Sequence, residues 1–237
     1  SARPRRDSIT RSARIHITSH AAMKSNTPPE ASPPRVAVFA KAPVAGEVKT
    51  RLIDLLGDEG AAQLHEAMVR YALTIATHAR LGPVELWCAP DEWHPFFARC
   101  ARDFRVSLHR QEGPDLGARM ALAFARAQAA GDRMVLIGSD CPALKPTDLE
   151  DAAAALCAYQ AVITPAQDGG YVLVALAGAA PIFHDMVWGG ADVMAQTRTR
   201  LDSAGIGWVE METLWDVDRP EDYARLQAMR LQESGPG

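Results

Sequence analysis

The chain of 237 residues has no apolar run approaching the roughly 20 residues that a membrane-spanning helix requires, so no membrane span is expected. Its four cysteines (Cys88, Cys100, Cys141 and Cys157) form no C-x-x-C pair and are spread through apparent core elements. That usage argues against a disulfide framework or a zinc site and for a reducing, cytoplasmic setting. Neither G-x-G-x-x-G nor G-x-x-x-x-G-K-[ST] occurs, which disfavours a dinucleotide fingerprint and a P-loop. Basic charge is also scarce where it would matter. Residues 1–24 hold six basic groups and one acid, leaving 19 basic against 28 acidic groups and a net charge near -9 for the rest. Nucleic acid is therefore not expected as a partner, because duplex binding rests on neutralising phosphates.

What remains has the composition of a folded protein, 48% apolar and 23% charged. Residues 1–34 are Arg/Ser-rich and then read NTPPEASPP, without the apolar segment of a secretory signal. They are expected to be a disordered leader, added residues or an over-extended start, with Met23 as a natural first residue. From Arg35 short apolar runs alternate with helical periodicity. Strands are expected at 35–40, 83–89, 105–109, 134–138, 161–166, 171–176 and 208–212, with helices between them and a last helix from Pro220. This alternation predicts an α/β fold for residues 35–237, a single domain whose mostly parallel sheet carries helices on both faces. The pair AVITPA–QDGG–YVLVAL is the expected place for an antiparallel departure.

The stretch MVLIGSDCPAL (134–144) organises the rest. An unalternated apolar run suits a strand buried on both faces, and ligands of open α/β sheets bind beyond the carboxyl ends of such strands. Asp140 stands there. After the first strand come Lys41, Gly46, Lys49 and Arg51, a cationic loop suited to phosphate, and Asp115 opens a later helix. Asp168 lies in QDGG, whose Gly169 and Gly170 permit close backbone approach. Asp216 lies in LWDVDRPEDY, and Trp188 in a W-G-G-A-D loop offers a stacking face for a base or sugar. Asp140 and Asp168 are the candidate catalytic residues. Lys41, Gly46, Lys49, Arg51 and Asp115 are candidates for nucleotide phosphate, and Gly169, Gly170 and Trp188 for the acceptor. Hard cations need one or two carboxylates plus phosphate oxygens, so Asp140 and Asp216 are candidates for Mg²⁺ or Mn²⁺.

The segments FAKAPVAGEVKTRL, LIGSDCPAL, QDGGYVLV and WDVDRPED, as an ordered set, resemble a poorly characterised bacterial family of GT-A-type glycosyltransferases. Some of its members are linked to arsenosugar biosynthesis. The family is similar to nucleotidyltransferases that make molybdenum-cofactor dinucleotides and guanylylate phospholactate. The resemblance covers Arg35 to Leu231 and implies the nucleotide-diphospho-sugar transferase (GT-A-like) fold. It implies that Asp140 is the metal-binding aspartate after the central strand and that Lys41, Lys49 and Arg51 face phosphate. Gly138 stands two residues before Asp140 where a D-x-D motif has an acid, so a second carboxylate comes from elsewhere.

The function expected first is a metal-dependent glycosyltransferase that uses a nucleotide-diphospho-sugar donor and a small-molecule acceptor. The alternatives are a nucleotidyltransferase that releases pyrophosphate from a nucleoside triphosphate, and a catalytically silent nucleotide-binding module. The three-cation loop leans to a triphosphate, the resemblance to a sugar donor.

Overall fold

Strand β4, Met134–Ile137, is buried along its whole length, and its side chains alternate between two apolar layers. Val135 and Ile137 face one layer, Met134 and Leu136 the other. The computed structural model describes residues 32–178 and 180–233; the expected leader lies outside them except for its last three residues. Beside β4 runs β1, Arg35–Lys41, parallel and in register from Arg35 opposite Met134 to Val38 opposite Ile137. β2 (Val84–Ala89) and β3 (Ser107–Arg110) extend the sheet on that side, also parallel.

On the other side of β4 the direction reverses. β6, Tyr171–Leu176, is antiparallel to β4 and to β5, Ala161–Pro165, while β7, Trp208–Glu210, is parallel to β5. The seven-stranded order is β3-β2-β1-β4-β6-β5-β7. The single reversal falls at the QDGG hairpin, as the short connection requires: the five residues 166–170 cannot cross a sheet, whereas parallel neighbours need a dozen or more. Because β6 is reversed, its first residues meet the carboxyl ends of β4 and β5, with that of β1 beyond β4, and this positions the site.

Among the described residues, six α-helices accompany the sheet. α1 (Ile53–His78), α2 (Pro95–Phe104) and α4 (Pro146–Ala155) bury Val69, Leu73, Phe96, Phe97 and Leu149 against one face. α3 (Leu116–Ala129) and α5 (Val193–Ser203) bury Met120, Phe124, Met194 and Leu201 against the other. Their starts follow local chemistry. Pro95 and Pro146 open α2 and α4, where a missing N–H costs nothing. The Asp148 carboxylate accepts from Lys145 N at 2.7 Å, and Asp115 caps α3 by accepting from Ala118 N at 2.8 Å. Gly57, at φ 71°, breaks the first turn of α1, so regular helix begins at Asp58.

A third apolar cluster joins Leu52, Leu64, Met68, Trp215, Val217 and Leu226, fastening α1 and α6 (Pro220–Glu233) to the segment before α6. None of the described helices is long and apolar enough to cross a membrane. Ile137 is fully buried in the middle of this arrangement. Ile137→Ala is expected to cost about 2–5 kcal/mol, measured as a lower urea midpoint with an unchanged slope.

Candidate active site

The chain leaves β4 through Gly138 and Ser139 into Asp140, and the fold closes three segments around that carboxylate. From the loop after β1, Lys49 reaches in with its Nζ 2.7 Å from Asp140 Oδ1. Lys49 sits at φ 48°, a left-handed backbone just before the short 3-10 turn Thr50–Leu52, and this turns its side chain inward. That side chain is 5% exposed and that of Asp140 47%, so the pair has a buried cation and a carboxylate open to solvent. The same ammonium donates to the Val217 carbonyl at 2.6 Å, and Val217 N donates to the Asp140 carbonyl at 2.8 Å. The loop bearing Asp216 is thereby knitted to both.

His65, on the buried face of α1, completes the surroundings. Its Nε2 lies 3.0 Å from the Lys41 carbonyl and its Nδ1 4.0 Å from Asp140 Oδ1. Burial lowers the His65 pKa, with the Asp140 charge and the Lys41 carbonyl in partial opposition. Burial works against ionised Asp140, but Lys49 and then His65 outweigh it, holding the carboxyl below its ordinary value. Asp216 moves the other way. Its own burial, joined by the charges of Asp168 and Asp140, pushes it up to about 6.

Asp140, Asp168 and Asp216 line one cavity of about 200 Å³, together with Leu116, Gly170, Tyr171, Trp188, Gly189 and Gly190. Gly169 is required where it stands: it has φ 94°, and a Cβ there would lie 2.1 Å from the Ala191 carbonyl. That close approach seats the QDGG turn on the start of α5, where Met194 N donates to the Gly169 carbonyl at 2.8 Å. Asp168 Oδ1 in turn accepts from Gly170 N at 2.9 Å. Trp188 packs its ring edge against Gly117, where a Cβ would come within 2.5 Å of it, and crosses the Tyr171 ring at 82°.

A second hollow, of about 230 Å³, lies at the ends of β1 and β2 and is lined by Lys41, Glu47, Val48, Pro90 and Arg119. The cationic loop is therefore divided. Lys41 faces this hollow, Lys49 is turned to Asp140, and Arg51 pairs with Asp218 on the surface. Gly46, at φ 82°, shapes the exposed bend of the loop. Asp115 serves as the helix cap rather than lining either hollow, and its neighbour Arg119 lines the second.

Sequence reasoning missed His65, although its signal was present: a titratable residue in register with Ala61, Met68 and Ala72 on the apolar stripe of a helix. The backbone ties of Val217 left no sequence signal at all.

A carboxylate cluster can hold a hard divalent cation through oxygen alone. Among the described residues, no group of three or more His, Cys, Asp or Glu is gathered tightly enough to form a ready-made metal cage. Asp140 and Asp216 nevertheless fit the sparser demand of Mg²⁺, which takes one or two carboxylates and fills its other positions from water and phosphate. Burial first, and then the charges of Asp168 and Asp140, oppose an ionised Asp216, and a bound cation would offset both.

His65 has a depressed folded-state pKa, so its contribution to stability is complete above about pH 6.5 and is lost as pH falls through the folded value. Asp216, raised, acts in the opposite sense, losing its contribution as pH rises from its ordinary value to about 6. The difference between wild type and His65→Gln isolates the histidine. Urea unfolding from pH 7.5 to 5.5 is expected to show a smaller acid-side loss of stability in the variant.

Comparison with known proteins agrees with this architecture. A protein from Desulfovibrio desulfuricans G20, assigned as a nucleotide-diphospho-sugar transferase, is 31% identical with a TM-score of 0.70, over 78% of this chain and 82% of its own. A 3-phospho-D-glycerate guanylyltransferase from Phenylobacterium zucineum is 29% identical over 184 residues, 75% of this chain and 83% of the relative. A nucleotidyl transferase from a Methanothermobacter species shares the fold, at 18% identity and a TM-score of 0.58 over 84% of this chain and 99% of its own. Residues 72–190 match the family described as "Uncharacterized protein conserved in bacteria (DUF2064)", and the chain belongs to that family.

Proposed function

We propose that residues 35–237 form a nucleotidyltransferase domain that joins a nucleoside monophosphate to a small-molecule acceptor and releases pyrophosphate. The observation that carries the reading is the unequal charge of two hollows joined by the Lys49–Asp140 pair. Lys41 and Arg119, with Glu47, line one hollow, three aspartates line another, and the Lys49–Asp140 pair ties the loop of the first to the wall of the second. A nucleoside triphosphate in the first hollow meets cations at its phosphates, and its α-phosphorus lies toward the second. The 29% identical guanylyltransferase favours nucleotidyl transfer over the glycosyl transfer expected first, and makes GTP the first donor to test. The relative assigned as a nucleotide-diphospho-sugar transferase keeps glycosyl transfer as the second reading.

In the reaction, an acceptor hydroxyl beside Asp168 attacks the α-phosphorus, the bond to the β-phosphate oxygen breaks, and pyrophosphate leaves. Asp168 orients the hydroxyl and receives its proton. Lys41 and Arg119 balance the charge of the departing pyrophosphate. Lys49 keeps Asp140 ionised and fixed. Asp140 and Asp216 would hold Mg²⁺ or Mn²⁺, which when bound neutralises phosphate charge as a Lewis acid. Gly46, Arg51 and Asp115 shape the surrounding loops, while Gly169, Gly170 and Trp188 border the acceptor.

Incubating the protein with Mg²⁺, an acceptor mixture and either GTP or nucleotide sugars separates the readings. Pyrophosphate from GTP supports nucleotidyl transfer; nucleoside diphosphate from a sugar donor supports glycosyl transfer; binding without turnover supports a silent module. In a fluorescence titration with labelled GTP, Mg²⁺ is expected to tighten binding to the wild type. Asp140→Asn should lose about tenfold or more of that effect, the scale of one charge-assisted contact. Equal affinity in the variant removes Asp140 from the metal site.

A further inference from the structure

The ladder between β1 and β4 closes at Val38 opposite Ile137, so Lys41 at the end of β1 has no β4 residue beside it. Its backbone groups point that way all the same. Arg35 N donates to Arg133 O on the β4 side, whereas Val36 N and Ala42 N donate to Pro83 O and Ala89 O on the β2 side. Backbone groups of successive strand residues alternate between neighbours, so those of the odd-numbered residues, Lys41 among them, face β4. A carbonyl there, beyond the last strand partner, needs a donor from elsewhere.

His65 supplies it. The residue is 4% exposed on the buried stripe of α1, and its Nε2 lies 3.0 Å from the Lys41 carbonyl oxygen. Since a carbonyl only accepts, Nε2 carries the proton whichever charge the ring has. The other nitrogen, Nδ1, is 4.0 Å from Asp140 Oδ1, beyond hydrogen-bond reach. The close partner of His65 is therefore the end of β1, and that of Asp140 is Lys49 at 2.7 Å. Lys41 is thus anchored on one side by Ala42 N on Ala89 O and on the other by the imidazole. Its side chain is exposed and lines the hollow with Glu47 and Arg119. An ammonium on a flexible four-carbon stem is aimed only as well as the backbone beneath it is fixed.

We infer that His65 is a positioning residue for the donor. By holding the Lys41 carbonyl it fixes the end of β1 and aims the Lys41 ammonium at the phosphates, while touching no substrate itself. The inference rests on the nucleotidyltransferase reading and assigns the donor hollow a support from α1. An imidazole that merely filled the core would be replaceable by an apolar side chain of similar size, at no cost to the donor.

A double-mutant cycle tests it. Binding of fluorescently labelled GTP to the full chain at fixed Mg²⁺ is measured for the wild type, His65→Leu, His65→Gln, Lys41→Ala and the double variant His65→Leu/Lys41→Ala. His65→Leu is expected to weaken binding about fivefold, the scale of one hydrogen bond. His65→Gln, whose amide N–H reaches where Nε2–H does, should restore it to within about twofold. In the Lys41→Ala background His65→Leu should change nothing further, because the histidine acts through that lysine. Equal effects of His65→Leu in both backgrounds, or no rescue by His65→Gln, overturn the proposal. Nitrogen NMR of the histidine-labelled wild type gives a readout free of any variant's folding: a protonated Nε2 on His65 is expected, and a bare one overturns the proposal. If Lys41→Ala leaves GTP binding unchanged, the donor-site reading falls and the positioning role with it. If Lys41→Ala weakens binding and His65→Leu does not, the positioning role alone falls.

Discussion

The buried lysine on Asp140 is the contact on which the rest of the site depends. An ammonium removed from water needs a partner, and Lys49 has two, a carboxylate and the Val217 carbonyl. Because those partners come from the β4 turn and the loop before α6, one side chain fixes three distant segments. The apolar cluster of Leu52, Met68, Trp215 and Val217 packs around the same junction and excludes water from it. The ion pair leaves Asp140 ionised but half exposed, and hence available to a ligand on its open side.

Around that junction the fold segregates charge. The parallel strands β1 and β2 deliver their carboxyl ends, and with them Lys41, to one hollow. The reversed strand β6 brings its opening turn, with Asp168, to the other. A parallel β6 would have needed a crossover and begun at the other end of the sheet, away from this hollow. The single antiparallel strand is therefore a functional feature as much as a topological one. In the proposed reaction, phosphates and acceptor hydroxyls make opposite electrostatic demands, which a hollow with Lys41 and Arg119 and another with three aspartates would serve.

Much of this was legible in the sequence, for identifiable reasons. Unalternated apolar runs such as MVLI located the buried strands, and the shortness of QDGG forced the reversal. Asp140 was legible because a polar residue directly after a buried strand has few other uses. The fate of the cationic loop was not. Lys41, Lys49 and Arg51 sit close in sequence, yet a left-handed residue at Lys49 sends them in three directions, and no spacing rule encodes that turn. His65 and the ties of Val217 were hidden because they acquire meaning only when α1 and the loop before α6 close on β4. The order of the two functional readings also changed, since glycosyl and nucleotidyl transfer ask the same charges of the same loops and similarity to a guanylyltransferase favours the latter.

The central claim is that one nucleotide lies across both hollows, with a divalent ion on the aspartate side. Anomalous diffraction from crystals grown with Mn²⁺ and a non-hydrolysable GTP analogue tests it directly. The account predicts a manganese peak between Asp140 and Asp216, with the phosphates extending toward Lys41 and Arg119. A nucleotide bound elsewhere, or a manganese peak away from both aspartates, would contradict it.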